Sequence, residues 1–254
     1  MTGGTAATAA FHALHHADRP LLLPNAWDFA SAAALHAAGF AAIGTTSLGV
    51  AAANGLPDGE GATRAETVAL ARRIVEFPVP VTVDIESGFG ADLGELAAEL
   101  AEIGVAGVNI EDGRPGGMLA DPVEQAKLVR AFKQGAPELF VNARVDTYWL
   151  SVAHESTVSR ALRYVDAGAD GIFVPGMKTE HDIAETVAAV PAPLNVLPSL
   201  DLERLAELGV RRVSTGSLLF RAALHAAVTT AQAVRDGKPV AEGIPSYAEV
   251  RGLS

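Results

Sequence analysis

The chain contains no cysteine in 254 residues, which excludes disulfides, thiolate metal sites and any cysteine nucleophile or acid. It also lacks an apolar run of the roughly 18 to 20 residues that a bilayer crossing needs, so a membrane span is not expected. Its opening stretch, MTGGTAATAAFHALHHADRP, has no basic segment followed by a continuous apolar one. No secretory signal is read there, and the cytoplasm is the expected compartment. Basic residues are the scarcer charge, 19 against 30 acidic ones, for a net charge of −11. Without a Lys/Arg cluster, that balance argues against nucleic acid or an anionic membrane as a partner. Aromatics make up only 6% of the chain.

What the chain has in abundance is Ala, Val, Leu and Ile, within a hydrophobic content of 49%. That is the make-up of apolar strands packed on Ala-rich helices. The length suits one large α/β domain, taken as residues 1–254.

One phrase recurs: a helix-period segment closing in glycine, then a short β-branched run. It appears as HAAGFAAIGTTS, AEIGVAGVNIED, VDAGADGIFVPG and AELGVRRVSTGS. Gly39, Gly104, Gly168 and Gly209 read as helix-closing glycines in the left-handed conformation before a strand. With the remaining apolar runs, strands are predicted near 20–24, 41–46, 80–86, 105–111, 138–145, 170–175, 193–197 and 211–215. Helices are predicted near 27–38, 63–76, 93–103, 122–134, 155–167, 179–189, 200–208 and 217–236, with an extra one near 5–16. Asp121-Pro122-Val123-Glu124 reads as a helix start, with weaker starts at Thr179 and Glu155-Ser156-Thr157. Eight βα units in one domain point to a (β/α)₈ TIM-type barrel. A doubly wound open sheet would call for a Gly-rich phosphate turn after the first strand, and LLLPNAWD has none.

Barrel chemistry sits at the C-terminal strand ends. Strand 3, VTVDIESGFG, places Thr82, Asp84 and Glu86 on one face at the period of two; strand 4 does the same for Asn109 and Glu111, and strand 5 for Asn142, Arg144 and Asp146. A single acid at a strand end is commonly a helix cap or an ion-pair partner. Three carboxylates converging with one arginine repel one another unless a cation sits among them. All-oxygen donors suit Mg²⁺ or Mn²⁺, an ion that would polarise a 2-oxo acid and stabilise its enolate. Arg144 supplies the planar fork that matches a carboxylate.

At these residues the sequence resembles the isocitrate lyase/phosphoenolpyruvate mutase superfamily. The matching stretches are LLLPNAWDFASA, GTTSLGVAAANGLPDGE, VTVDIESGFG, GVNIEDG and VNARVDTYWL, continued by GADGIFVPGM and PLNVL. The resemblance implies that Asp84 binds Mg²⁺ directly while Asp58, Glu86 and Glu111 act through its waters. Ser47 and Leu48, with Trp27 nearby, resemble the segment that holds the substrate carboxylate. Arg144 resembles the substrate-binding arginine, and Asn195 lies where a polar group covers the substrate. Arg144, Glu111 and Asp58 are the implied catalytic residues. The lid differs. The lyases carry a Lys-Lys/Arg-Cys-Gly-His loop, whereas this chain reads EDGRPGGMLADP. The mutase and its hydrolase relatives carry Glu-Asp-Lys, and here Gly113 stands in the lysine's place. Only Arg114 adds charge.

The reading that results is a Mg²⁺-dependent carbon–carbon lyase or decarboxylase acting on a small 2-oxo or 2-hydroxy di- or tricarboxylate through an enolate. Its alternatives are a phosphonopyruvate or phosphoenolpyruvate mutase or hydrolase, and a non-catalytic 2-oxo acid-binding protein. Lys178 reads as a solvated residue at a helix start rather than a Schiff-base lysine, and all seven histidines as structural or surface groups. Ser214-Thr215-Gly216-Ser217 reads first as a simple N-cap of the last helix, with an anion site at that helix start as the alternative. The last helix, LLFRAALHAAVTTAQAVRDG, is apolar over more than one face. It resembles the family's C-terminal helix, packed or swapped between subunits, so a homodimer or homotetramer is expected.

Overall fold

The computed structural model describes residues 3–253. A parallel sheet runs through β1 (Leu21–Leu23 and Asn25–Ala26), β2 (Ile43–Thr45), β3 (Val81–Asp84), β4 (Gly107–Glu111), β5 (Phe140–Arg144), β6 (Gly171–Phe173), β7 (Leu194–Val196) and β8 (Arg212–Ser214). β1 is broken at Pro24, which has no N–H for the ladder. Its first half pairs with β8, Leu21 opposite Arg212, and its second half with β2, Asn25 opposite Gly44. That double pairing closes eight strands into a barrel.

The helices that cover it are α1 (Gly3–Leu14), α2 (Phe29–Ala37), α3 (Ser47–Asn54), α4 (Arg64–Ile74), α5 (Leu93–Ile103), α6 (Pro122–Gly135), α7 (Thr157–Asp166), α8 (Glu180–Ala189) and α9 (Leu202–Glu207). α10 (Leu218–Arg235) and α11 (Tyr247–Arg251) follow. α5 shows why such segments fold as they do. Asp92 accepts a hydrogen bond from the Glu95 amide, Leu93, Leu96, Ala97 and Leu100 form one buried stripe, and Gly104 closes the helix at φ +99°. Burying each of its leucines contributes about 1.5–3 kcal/mol. All four helix-closing glycines in the recurring phrase have positive φ. Asp121 caps α6 through the amides of Val123 and Glu124, whereas Ser156 makes no cap bond at α7.

The main core lies between barrel and helices. A smaller cluster of Phe11, Leu21, Leu23, Ala42, Ala106 and Phe140 closes the N-terminal end of the barrel, plugged by α1. His15, in the turn that follows that helix, stacks on Phe140 with ring centroids 4.0 Å apart; burial pushes its imidazole down to about 3, so it sits there neutral. No helix of the described residues is long and apolar enough to cross a membrane.

Three elements go beyond the sequence reading. α3 starts directly after β2, between the strand predicted near 41–46 and the helix predicted near 63–76, where no element is predicted. It carries no side-chain cap, and Gly49 inside it is required because a Cβ would lie 2.7 Å from Trp27 Cβ. The segment after β4 folds into a hairpin of Gly113–Arg114 against Met118–Leu119. α11 opens on a capping box between Ser246 and Glu249, the S-x-x-E signal that SYAE displays.

Candidate active site

A cavity of about 380 Å³ opens at the C-terminal strand ends. Asp84, Glu111 and Arg144 are the last residues of β3, β4 and β5, and Glu111 stands directly opposite Arg144 in register. Arg144 Nη1 donates to Glu111 Oε2 and its Nε to Asp146 Oδ1, each at 2.7 Å. Burial disfavours the Arg144 cation, but Glu111, Asp146 and Asp84 outweigh it and hold the group charged. Asp146 is fixed from behind: Asp112, fully buried, accepts from the Asp146 amide at 2.8 Å, from Tyr164 Oη at 2.7 Å and from Arg160 Nη1 at 3.0 Å.

Burial raises the Asp84 carboxyl above the usual range, opposed by Arg144 and raised further by Asp58. Glu111 is pushed up to about 8 by burial, the pull of Arg144 notwithstanding. Asp58 and Asp84 line the cavity with Glu111. Carboxylates crowded together in this way are the donor chemistry of a hard divalent cation. Among the described residues no three acidic or histidine side chains converge into a cage.

Glu86 does not share the mouth with Asp84. The strand ends at Asp84, Glu86 takes φ +50°, and its carboxylate turns away to accept from the Gly61 amide at 2.7 Å and Thr63 Oγ1 at 2.6 Å. It is completely buried, and burial raises its carboxyl despite those two bonds. Glu86 therefore holds the loop that carries Asp58, and the alternation argument for a shared face fails at the strand end. Trp27 is not in the cavity wall either. It packs edge-on against Phe220 of α10, ring centroids 5.4 Å apart. Asn195 lies one layer down, donating to Ser214 Oγ at 3.0 Å. Ser47 and Leu48 do line the cavity, at the first turn of α3, where free amides and the helix dipole attract an anion. The Ser47 amide makes a long contact of 3.4 Å to Asp84 Oδ2.

In the hairpin, Arg114 is tied to the Glu111 and Gly113 carbonyls at 3.1 and 2.7 Å and to Gln125 Oε1 at 2.7 Å. It braces the strand end that carries Glu111. Lys178 lines a neighbouring cavity, away from the carboxylates. Arg221 and Trp149 escaped the sequence reading, yet both line the active-site cavity. Trp149 stands 5.8 Å from Arg144 Cζ. Arg221 lies one helical turn after Ser217 in LLFRAAL, a spacing that reaches back to the start of α10, and the strand-end criterion passes over it.

Known proteins resemble this chain along most of its length. An uncharacterised Mycobacterium tuberculosis (strain H37Rv) protein is 49% identical over 245 residues, 95% of this chain and 94% of its own. A 2-methylisocitrate lyase of Bacillus subtilis (strain 168) is 34% identical over 195 residues, 72% of this chain and 64% of the lyase. An oxaloacetate decarboxylase of Ectopseudomonas mendocina (strain ymp) is 33% identical over 202 residues, covering 73% and 69%. Among solved structures, a Burkholderia cenocepacia J2315 protein superposes with a TM-score of 0.91 at 31% identity, covering 99% of this chain and 96% of that one. A phosphonopyruvate hydrolase in complex with oxalate and Mg²⁺ superposes with a TM-score of 0.85 at 24% identity, covering 97% and 94%. Residues 11–235 match the phosphoenolpyruvate phosphomutase family. With the catalytic-face geometry and these relatives in hand, the chain is an enzyme that belongs to that family, within the isocitrate lyase/phosphoenolpyruvate mutase superfamily.

Proposed function

We propose that this enzyme is a Mg²⁺-dependent carbon–carbon lyase of the decarboxylase or retro-aldol type, acting on a small 2-oxo or 2-hydroxy di- or tricarboxylate through an enolate. The observation that carries the reading is Arg144, held between Glu111 and Asp146 at 2.7 Å each, in one cavity with Asp58, Asp84 and the first turn of α3. Mg²⁺, or Mn²⁺ in its place, supplies positive charge for the enolate oxygen when bound, with Asp84 as direct donor and Asp58 and Glu111 through water. Glu86 acts by holding the Asp58 loop.

The chain's own residues do the rest. The Ser47 and Leu48 amides and the Arg144 fork orient the 2-oxo carboxylate. Arg221, at the rim and without an ion-pair partner among the described residues, suits a second carboxylate. In a decarboxylation the bond to the departing carboxylate breaks, its electron pair becomes the enolate, and a solvent proton returns to carbon. No acid or nucleophile from the lid is required, which suits a hairpin whose one charged side chain, Arg114, is bound to backbone carbonyls.

An assay of oxaloacetate, dimethylmalate, methylisocitrate, isocitrate and phosphonopyruvate, each with Mg²⁺ and with EDTA, tests this. Turnover of a 2-oxo or 2-hydroxy diacid that EDTA and Asp84→Ala both abolish is the expected result. Turnover insensitive to EDTA overturns it, as does selective turnover of phosphonopyruvate. Oxalate binding without turnover of any substrate identifies a sensor instead.

The exposed apolar residues of α10, Leu218, Leu224, Val228 and Val234, support a second copy of the chain as the partner, in a cytoplasmic homodimer or homotetramer. Light scattering on the purified protein tests this, and a monomer at micromolar concentration rejects it.

A further inference from the structure

The largest fully buried side chain among the described residues is Arg212, inside the barrel. Its hydrogen-bond contacts are neutral, and the charge of Asp84 acts on it without a direct bond. Nε donates to Ser214 Oγ at 2.9 Å, Nη2 to Asn109 Oδ1 at 3.2 Å, Nη1 has no partner, and the Phe11 ring centroid lies 5.9 Å from Cζ. Barrel interiors are ordinarily filled by branched aliphatic residues. Burial disfavours the Arg212 cation, Asp84 being the one carboxylate whose charge favours it, and an apolar residue of similar volume would avoid that cost. Stability therefore does not account for it.

Its two acceptors do. A guanidinium only donates, so the atom of Asn109 that it meets must be the carbonyl oxygen. Asn142 Nδ2 donates to the same oxygen at 2.9 Å. With Oδ1 turned down to two donors, Asn109 Nδ2 faces the other way, and Asn109 lines the cavity. Arg212 thereby settles an amide orientation that is otherwise open. Ser214, also in the cavity wall, accepts from both Arg212 Nε and Asn195 Nδ2. Both its lone pairs are filled, and its hydrogen is left to donate.

We propose that Arg212 is a positioning residue that works from beneath the cavity floor, turning Asn109 Nδ2 and the Ser214 hydroxyl hydrogen toward the substrate. The floor then binds an anionic oxygen, a carboxylate or enolate oxygen, by donation alone. That identity of the anion rests on the enolate reading above.

The test is calorimetric titration of oxalate at saturating Mg²⁺, with a thermal melt for each variant. Arg212→Met removes the donors and the orphaned Nη1; it melts at or above wild type, while oxalate binds about tenfold or more weakly, the scale of one hydrogen bond to a charged group. Asn109→Asp still accepts from Arg212 and Asn142 but has no hydrogen to present, and because its charge also repels the anion it weakens oxalate by more than Arg212→Met does. Arg212→Lys, a donor only, restores part of the affinity. Folded Arg212→Met with wild-type oxalate affinity overturns the proposal. If that variant fails to fold, wild-type affinity in Asn109→Asp does so. Asp84→Ala separates this from the enolate reading. Undiminished oxalate binding there rejects the metal–enolate site, whereas its loss there with full retention in Arg212→Met and Asn109→Asp rejects only the floor.

Discussion

Arg144 Nη1 meets Glu111 Oε2 at 2.7 Å across directly opposed ends of β5 and β4. With Nε committed to Asp146 at the same distance, the guanidinium is locked in one plane, and its remaining N–H groups are aimed by that lock. A lysine ammonium is a point charge and cannot bridge both carboxylates while facing a substrate. Arg144→Lys is therefore expected to lower kcat/KM by on the order of 100-fold, the scale of losing one fixed donor at a developing charge. Steady-state kinetics on the best substrate of the panel measures this, and a loss of less than threefold speaks against the lock.

On the proposed Mg²⁺ reading, Glu111 should tie metal affinity to pH. Its folded carboxyl stands at about 8 against an ordinary value of 4.5, so between those values the folded metal-free protein keeps a proton that the unfolded chain has released. Its contribution to stability is thus fully present below about pH 4.5 and lost as pH rises through 8. Mg²⁺ needs the carboxylate and displaces that proton. The rise in melting temperature on replacing EDTA with Mg²⁺ should accordingly widen from pH 6 to pH 9. A rise that stays constant over that interval would falsify this assignment of Glu111.

Glu86 should act on the metal site indirectly. In Glu86→Met both acceptor oxygens are gone, so the Gly61 amide and Thr63 Oγ1 lose their partner in a fully buried setting. About 1–3 kcal/mol of stability is expected to go, and the loosened loop displaces Asp58. Denaturant unfolding and Mg²⁺ titration read the two effects, and weakened Mg²⁺ binding at unchanged stability would show Glu86 facing the ion after all.

The sequence was legible where one local signal controlled one element. The helix-closing glycine and the β-branched run behind it placed four of the eight strands, and the remaining apolar runs the other four, because both the left-handed turn and the apolar run follow from short-range chemistry. Asp84, Glu111 and Arg144 fell into place for the same reason, each ending a strand that stays in register. Glu86 was misplaced because the period of two holds only while the strand continues, and what ends it is a long-range pair of donors from Gly61 and Thr63. Trp27 went to Phe220 because α10 passes beside it, a packing that nothing in LLLPNAWD announces. Arg212 is of the same kind. The strand near 211–215 was legible, but not that closure of the barrel would enclose its second arginine completely.

Gly113 gives the sharpest test of the lid. A Cβ there would sit 2.6 Å from Asp146 Oδ2, the oxygen that accepts from the Gly113 amide at 3.0 Å. The Asp146 backbone is anchored by Asp112, so the carboxylate end, not the chain, must swing aside in Gly113→Ala. That swing takes Oδ1 away from Arg144 Nε. The variant should fold normally, with a melting temperature near wild type, and lose about tenfold in kcat/KM, as a bond to a charged group predicts. Because the loss passes through Arg144, the two substitutions share one target and their effects should not add. Gly113→Ala placed on Arg144→Lys is expected to cost almost nothing more. Full additivity of the two losses would mean that Gly113 shapes the cavity by itself and not through the Asp146–Arg144 pair. Gly113→Lys, which restores the residue type found in the mutase loop, meets the same oxygen and should impair the enzyme without conferring phosphonopyruvate turnover.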